Sequence, residues 1–285
     1  MIWSVAKRSL RIYFRDKASV FFSLMAILII IGLYVLFLGD IVQGDLQGLP
    51  GARFLMDSWV VAGLLAVASI TTTMGAFGIM VEDRTKKIMK DFSASPIKRS
   101  SLVGGYLVGT FLIGMIMSLI TFVLSEVYIT AYGGDLVTLT ELAKILGIMV
   151  LSVFSSASIV FFIVSFIHSS NAFATVSTIL GTLIGFLTGI YIPIGQLPEG
   201  VQSVVKVFPV SHAGALFRQV MMARPMEQTF AGAPASEVQS FEISMGVVFQ
   251  FGDEITTPLF SVIVLVVTAA VFFTLATLVL SKKNK

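Results

Sequence analysis

VEDRTKKIMKDFSASPIKRS, residues 81–100, carries nine charged side chains: Glu82, Asp83, Arg84, Lys86, Lys87, Lys90, Asp91, Lys98 and Arg99. It interrupts a chain of 285 residues that is 56% hydrophobic and only 12% charged, about half the charge of an ordinary soluble domain. With a mean hydropathy of +0.96, the chain reads as an integral membrane protein. The charged stretch then has to lie in water between two spans, because ionised groups are costly in hydrocarbon.

Outward from that stretch, six apolar runs are each long enough to cross a bilayer core of roughly 20 residues: 18–38, 58–81, 102–125, 142–167, 172–192 and 258–280. Lysine and arginine in the flanks set the orientation. Lys7, Arg8, Arg11, Arg15 and Lys17 precede the first run, six basic residues lie in the opening stretch, and Lys282, Lys283 and Lys285 follow the last, so 14 of the 19 basic residues fall on one side. The connections 39–57 and 126–141 carry Asp40, Asp45, Asp57, Glu126, Asp135 and Glu141 against Arg53 alone. The expected fold is all-α, one transmembrane domain over 1–285, with six spans and both termini in the cytoplasm.

Residues 1–17, MIWSVAKRSLRIYFRDK, have helical periodicity. Ile2, Trp3, Ala6, Leu10, Tyr13 and Phe14 share one arc, and Lys7, Arg8, Arg11 and Arg15 the neighbouring one. This predicts an interfacial helix with its basic side toward anionic lipid headgroups; charges that only set topology are the simpler alternative. Between the last two runs and at the start of the last, residues 193–258 hold six of the eight prolines. After Pro198 and Pro209 come two short amphipathic segments, the first with an apolar face of Val201, Val204, Val205 and Phe208 and the second with one of Leu216, Phe217, Val220 and Met221. Neither can span, which predicts an external re-entrant pair. Residues 224–257 read as an external loop, with a hairpin expected in FEISMGVVFQF, residues 241–251.

Several chemistries are disfavoured. The spans carry no Asp, Glu, Lys or Arg near their middles, where proton- and sodium-coupled carriers usually keep ionisable groups. The absence of cysteine removes thiolate zinc sites and thiol nucleophiles. His168 and His212 belong to no HExxH motif, and no G-x-S-x-G elbow is present. His212 reads as a helix-start residue, since neighbouring Ser211 points elsewhere on a helix. Ser152, Ser155, Ser156 and Ser158 suggest hydrogen bonds between helices, or a polar groove for cargo. No P-loop occurs, since Gly-Lys appears nowhere. Energy for uphill transport would have to come from another polypeptide, and no catalytic, metal or cofactor residue is expected in this one.

Ser177, Gly181, Gly185 and Gly189 are spaced by four along the fifth run, with a shorter version at Gly105 and Gly109. Small residues at this spacing let membrane helices approach closely. Packing within the bundle and a subunit interface both fit.

The order of these features resembles the membrane subunit of type-2 ATP-binding-cassette exporters. They are the basic amphipathic start, the charged segment ending in SASPIKRSSLVGGY, and GIYIPIGQLPEGVQSVVKVFPVSHAGALFRQVMMA before the last span. The resemblance implies two such permeases, identical or paired, working with two cytoplasmic ATPase subunits that bind ATP and Mg. It also implies export through a path walled by spans one, two and five, and a bacterial cell membrane, with lipids as neighbours and no nucleic acid. Carried to this chain, the family's coupling pattern falls on Glu82, Phe92, Ser95 and Pro96, and its external re-entrant pair on the helices after Pro198 and Pro209, which include Phe208, Leu216 and Phe217. The stretch 224–257 is longer than the family's usual link.

The residues of the opening stretch agree with that pattern. A cytoplasmic helix over 82–92 would put Arg84, Lys87 and Asp91 on one side with Ile88 and Phe92 beside them. Ser95 and Pro96 then restart a helix into span three. ATPase coupling is accordingly expected at Glu82, Asp83, Arg84, Lys87, Ile88, Asp91, Phe92, Ser95 and Pro96; a solvated loop accounts for the charges alone. Phe- and Met-rich spans suit a lipophilic or amphiphilic cargo, such as a drug, peptide or lipid-linked molecule. A gradient-driven carrier and a non-transporting immunity or scaffold protein are the other readings.

Overall fold

A computed structural model describes residues 1–34, 48–88 and 99–282. Its elements are α1 (Ile2–Arg15), α2 (Lys17–Leu33), α3 (Ala52–Thr85), α4 (Arg99–Ala131), α5 (Leu139–Phe166) and α6 (Ser170–Leu187). There follow a 3-10 turn (Ile194–Gln196), α7 (Glu199–Val207), α8 (Pro209–Met221), α9 (Ala223–Thr229), α10 (Ala235–Met245), a two-stranded hairpin of β1 (Gln250–Phe251) and β2 (Glu254–Ile255), and α11 (Pro258–Lys282). Five of these helices, α3 to α6 and α11, are long and apolar enough to cross a membrane. The first expected span begins as α2, an apolar helix of 17 residues; residues 35–38 lie outside the described residues.

Helix α3 is the centre of the bundle. Residues 55–70 are all buried, and 83% of its apolar window is enclosed, against 11% for α6. Apolar residues encircle it, and a helix apolar all round is stable only when neighbours cover every side. Helices α4, α5, α6 and α8 do so, while α11 packs on α5. On the α5 side the contact is partly polar: Ser69 Oγ lies 2.7 Å from Ser152 Oγ and 3.4 Å from Ser156 Oγ. The serine row is therefore buried between helices, and it does not line an open groove.

Both termini of α3 overrun the expected span of 58–81. At the start, Ala52 to Asp57 are helical, and Asp57 is 2% exposed. Tyr128 Oη donates to it at 2.9 Å and Arg53 Nε lies 3.7 Å away, which makes burial of the carboxylate tolerable. Glu126 of α4, expected in a loop, is likewise buried and accepts the Val137 N–H at 3.2 Å. Near them Arg224 donates to Glu141 at 2.9 Å and to the Leu136 carbonyl at 2.7 Å, tying α9 to the α4–α5 connection.

Helix α1, expected as an interfacial helix, packs into the bundle. Its buried residues are Val5, Ala6, Ser9 and Tyr13, a face set against α4 and the last turns of α3. Gly105 and Gly109 seat it: a Cβ on Gly105 would collide with the Val5 side chain, and one on Gly109 would come within 2.9 Å of Ser9 Cβ. The short glycine pair is thus an internal packing surface. Ile2 and Trp3, assigned to the same apolar arc, are exposed.

The proline-rich stretch forms α7 and α8 where the sequence predicts them, with Pro198 as N-cap of the first and Pro209 in the first turn of the second. Pro fits there because the first-turn N–H groups need no helical acceptor. Leu216 and Phe217 are buried in α8, whereas Val201, Val204 and Val207 of α7 are exposed. His212 is also buried, at 3.0 Å from Ser261 Oγ and 2.9 Å from the Lys206 carbonyl. Burial lowers its pKa, as expected of a neutral ring that donates to a carbonyl through one nitrogen and accepts a hydroxyl through the other. The hairpin falls later than predicted. Residues 241–245 finish α10, which ends at left-handed Gly246 (φ 68°), and the turn is made at Gly252 (φ 60°).

Arg218 of α8 binds this region together and has no exposed surface. Nη2 donates to the Thr188 carbonyl at 3.0 Å and the Gly189 carbonyl at 3.4 Å, at the end of α6; Nη1 donates to the Gly246 carbonyl at 3.3 Å, at the end of α10. Its Cζ sits 4.9 Å from the Trp59 ring of α3, and Trp59 Nε1 donates to the Met245 carbonyl at 2.7 Å. Helix C-termini carry partial negative charge and unpaired carbonyls, so one guanidinium can close two of them. Burial pulls its pKa down to about 9, which leaves it charged at neutral pH. Arg218→Met keeps the bulk and removes the donors; a loss of about 2–4 kcal/mol is expected, read as a lower thermal midpoint of the detergent-solubilised protein, and an unchanged midpoint would contradict this role.

Candidate functional site

The opening stretch begins inside α3. The helix continues past Val81 to Thr85, so Glu82 to Thr85 form its last turn, and a turn at Lys86 and Lys87 separates them from Ile88. Lys87 has φ 60°, the left-handed region that residues other than glycine seldom occupy. Asp91, Phe92, Ser95 and Pro96 fall in 89–98, outside the described residues.

Successive side chains of this turn point in different directions and bind different partners. Glu82 faces water and pairs with Lys86 at 2.5 Å, both side chains more than half exposed. Asp83 faces inward and is 3% exposed. Arg8 of α1 grips it with both terminal nitrogens, at 2.6 and 2.9 Å, and Tyr106 Oη of α4 donates to it at 2.5 Å. The hydrogen bond to Asp83, ahead of the opposing cost of burial, raises the pKa of Arg8. Arg84 turns to α5 and donates to the Val164 and Ile167 carbonyls at 2.9 and 3.0 Å, closing that helix end as Arg218 closes two others. Thr85 Oγ1 receives the Ser170 hydroxyl at 3.3 Å, at the start of α6. One helical turn therefore joins α1, α4, α5 and α6 to α3, leaving Glu82, Lys86 and Lys87 on the outside.

Beside this node lies a cavity of about 750 Å³. The α1–α2 joint (Tyr13, Asp16, Ser19), the second half of α3 (Gly75, Gly78, Glu82) and the start of α6 (Ser170, Phe173) enclose it. A second hollow of about 450 Å³ shares Gly75 and Phe173 with it and extends along α3 and α6 past Thr71, Met74 and Ser177 to Gly181. The lining passes from charged and hydroxyl groups at the α1 end to mainly apolar groups further along.

The fifth-span glycines do not share one role. Gly181 faces open space, Gly185 is covered by the ring of Tyr191, and Gly189 lies beyond the helix at φ 66°, where the chain turns out of α6. A continuous ladder over Ser177, Gly181, Gly185 and Gly189 is therefore not present, because α6 ends at Leu187. On its exposed side Thr175, Thr178 and Thr182 each donate to the carbonyl four residues earlier, so a polar-looking face offers few unmet donors.

Residues 51–278 match the family model described as ABC-2 family transporter protein. The chain belongs to the ABC-2 transporter family. A comparison with curated proteins found no match. As an ABC-2 protein it is a multi-pass membrane subunit of a transporter, of a kind that has no ATPase site of its own and works with an ABC ATPase. The match runs from the start of α3 into α11. Helices α1 and α2 lie before it, so the Arg8–Asp83 pair bolts the unmatched part of this ABC-2 subunit to the matched part.

Sequence reasoning placed Asp83, Arg84 and Glu82 together and could not divide them into inward and outward residues. It missed Arg8, Tyr106 and Arg218 as partners. A double-mutant cycle with Arg8→Ala and Asp83→Asn should give a coupling of about 1–2 kcal/mol, discounted because Arg8 is about a third exposed. Additive losses in thermal unfolding would show that the pair does not hold α1.

Proposed function

We propose that this chain is the permease of an ATP-driven exporter, forming a path as a dimer, with itself or with a paralogue, and driven by separate cytoplasmic ATPase subunits. The observation that carries the reading is the last turn of α3. Glu82 and, just after the turn, Lys86 and Lys87 are exposed toward a partner, and the inward residues, Asp83 and Arg84, are bonded to α1, α4 and α5. A push on the turn that contains Lys87 and Ile88 reaches several helices without intervening loops. Residues Asp91, Phe92, Ser95 and Pro96 belong to the same proposed coupling segment.

In this reading both termini and the α1 end face the cytoplasm, and α7, α8 and the 193–257 region form the external, partly re-entrant cap. The connected hollows along α3 and α6 then open toward the cytoplasm, and a second permease set against the exposed face of α6 closes them into a path. Their shift from polar to apolar lining suits an amphiphilic cargo such as a drug, a peptide or a lipid-linked molecule. Basic side chains of α1, Lys7 and Arg11 among them, are left for anionic headgroups.

Affinity purification of the tagged chain from native membranes is expected to retain a P-loop ATPase. The double reversal Glu82→Lys and Lys87→Glu is expected to weaken that retention by about tenfold or more, with loss of ATP-dependent efflux. Retention and efflux equal to the parent protein would refute this coupling surface, and the absence of any ATPase would refute the exporter reading.

A further inference from the structure

The stretch 224–257, longer than a simple link into the last helix, builds a cleft of its own. About 400 Å³ is enclosed between α8, α9 and α10 at the end of the bundle away from α1. Met226, Phe230, Val238 and Val247 supply apolar walls, and Gln219, Glu227 and Glu242 supply polar groups. The acceptors among them lack donors. Gln219 spends its amide N–H on the Val247 carbonyl at 2.8 Å, leaving a buried Oε1 with no partner. Glu242 is half-buried on α10, and its carboxylate has no hydrogen bond or ion pair among the described residues. Burial raises the pKa of Glu242 with nothing to offset it, the condition that an incoming cation relieves. Glu227 adds a third acceptor at an exposed position. Arg218 also borders the cleft; its terminal nitrogens are committed to the Thr188, Gly189 and Gly246 carbonyls, and its buried Nε has no partner among the described residues.

We infer that this cleft is a binding site for a small amphiphilic amine, a protonated amino group attached to an apolar body. The ammonium donates to Glu242 and to Gln219 Oε1, with Glu227 contributing charge, and the apolar body lies against Met226, Phe230, Val238 and Val247. An ammonium has three donors and no acceptor, which matches a site whose unmet groups include a buried amide oxygen and a half-buried carboxylate. In the proposed topology the cleft faces outward. The inference needs neither a direction of transport nor an ATPase.

Trp59, stacked beneath Arg218, is a built-in reporter. In a Trp3→Phe background it is the only tryptophan of the two in the chain. The full-length protein in nanodiscs is titrated with dansylcadaverine, with its N-acetylated form, and with a dansyl carboxylate of similar length, following energy transfer from Trp59. The expected result is saturable transfer with the amine, at least about tenfold weaker affinity for the other two probes, and a similar loss in Glu242→Gln. Glu237→Gln, on the same helix but outside the cleft, should bind as the parent does. Equal affinity for the neutral or carboxylate probe, parent-like affinity in Glu242→Gln, or no saturable transfer overturns the inference. Should Glu242→Gln fail to elute as a folded protein, Glu227→Gln gives the same comparison, with a loss of about twofold or more expected and none contradicting the site.

Discussion

Three of the described helices end against an arginine. Arg84 meets the last carbonyls of α5, and Arg218 meets those of both α6 and α10. A helix that stops inside a bundle leaves carbonyls without donors, and water is not at hand to supply them. A guanidinium offers five N–H groups and a charge of the right sign for a C-terminus. The rest of the architecture follows from this device. It lets α6 stop at Leu187, lets α8 enter the core, and fixes the far end of α3 to the end of α5.

Helix α3 gains from both anchors. Near one end Trp59 lies against Arg218, and at the other Asp83 and Arg84 bind α1, α4 and α5. Between them the helix is enclosed by protein over 16 consecutive residues, 55–70, so it has little room to bend separately from its neighbours. For a transporter subunit whose energy comes from another protein, the proposed coupling would make such a helix a direct mechanical link between the partner's surface and the cavity that lies along it.

Much of this was legible in the sequence because membrane insertion makes composition informative. Long apolar runs separated by charges gave four of the five described spans to within a few residues at one end or both, and proline placed α7 and α8. Rotational phase was not legible. Apolar residues surround α3, so no amphipathic face indicated that Asp83 turns inward while Glu82, one residue and about 100° away, turns to water. The partners Arg8 and Tyr106 lie 75 and 23 residues distant in the chain, and only the packed fold brings them to Asp83. The regular spacing of Gly181, Gly185 and Gly189 misled for a related reason: the pattern continues past the point where Gly189 turns the chain out of the helix. Asp57 and Glu126 looked like loop residues because carboxylates mark span ends, yet local hydroxyl and backbone donors allow both to be buried.

In the proposed coupling, the end of α3 moves as one unit with the helices bonded to it. Hydrogen–deuterium exchange on the assembled complex in nanodiscs, compared with and without ATP, tests it most directly. ATP is expected to change protection at residues 86–88 together with the end of α5 around Val164 and Ile167 and with α1 around Arg8. Changes confined to 86–88, with α1 and the end of α5 unaltered, would contradict it.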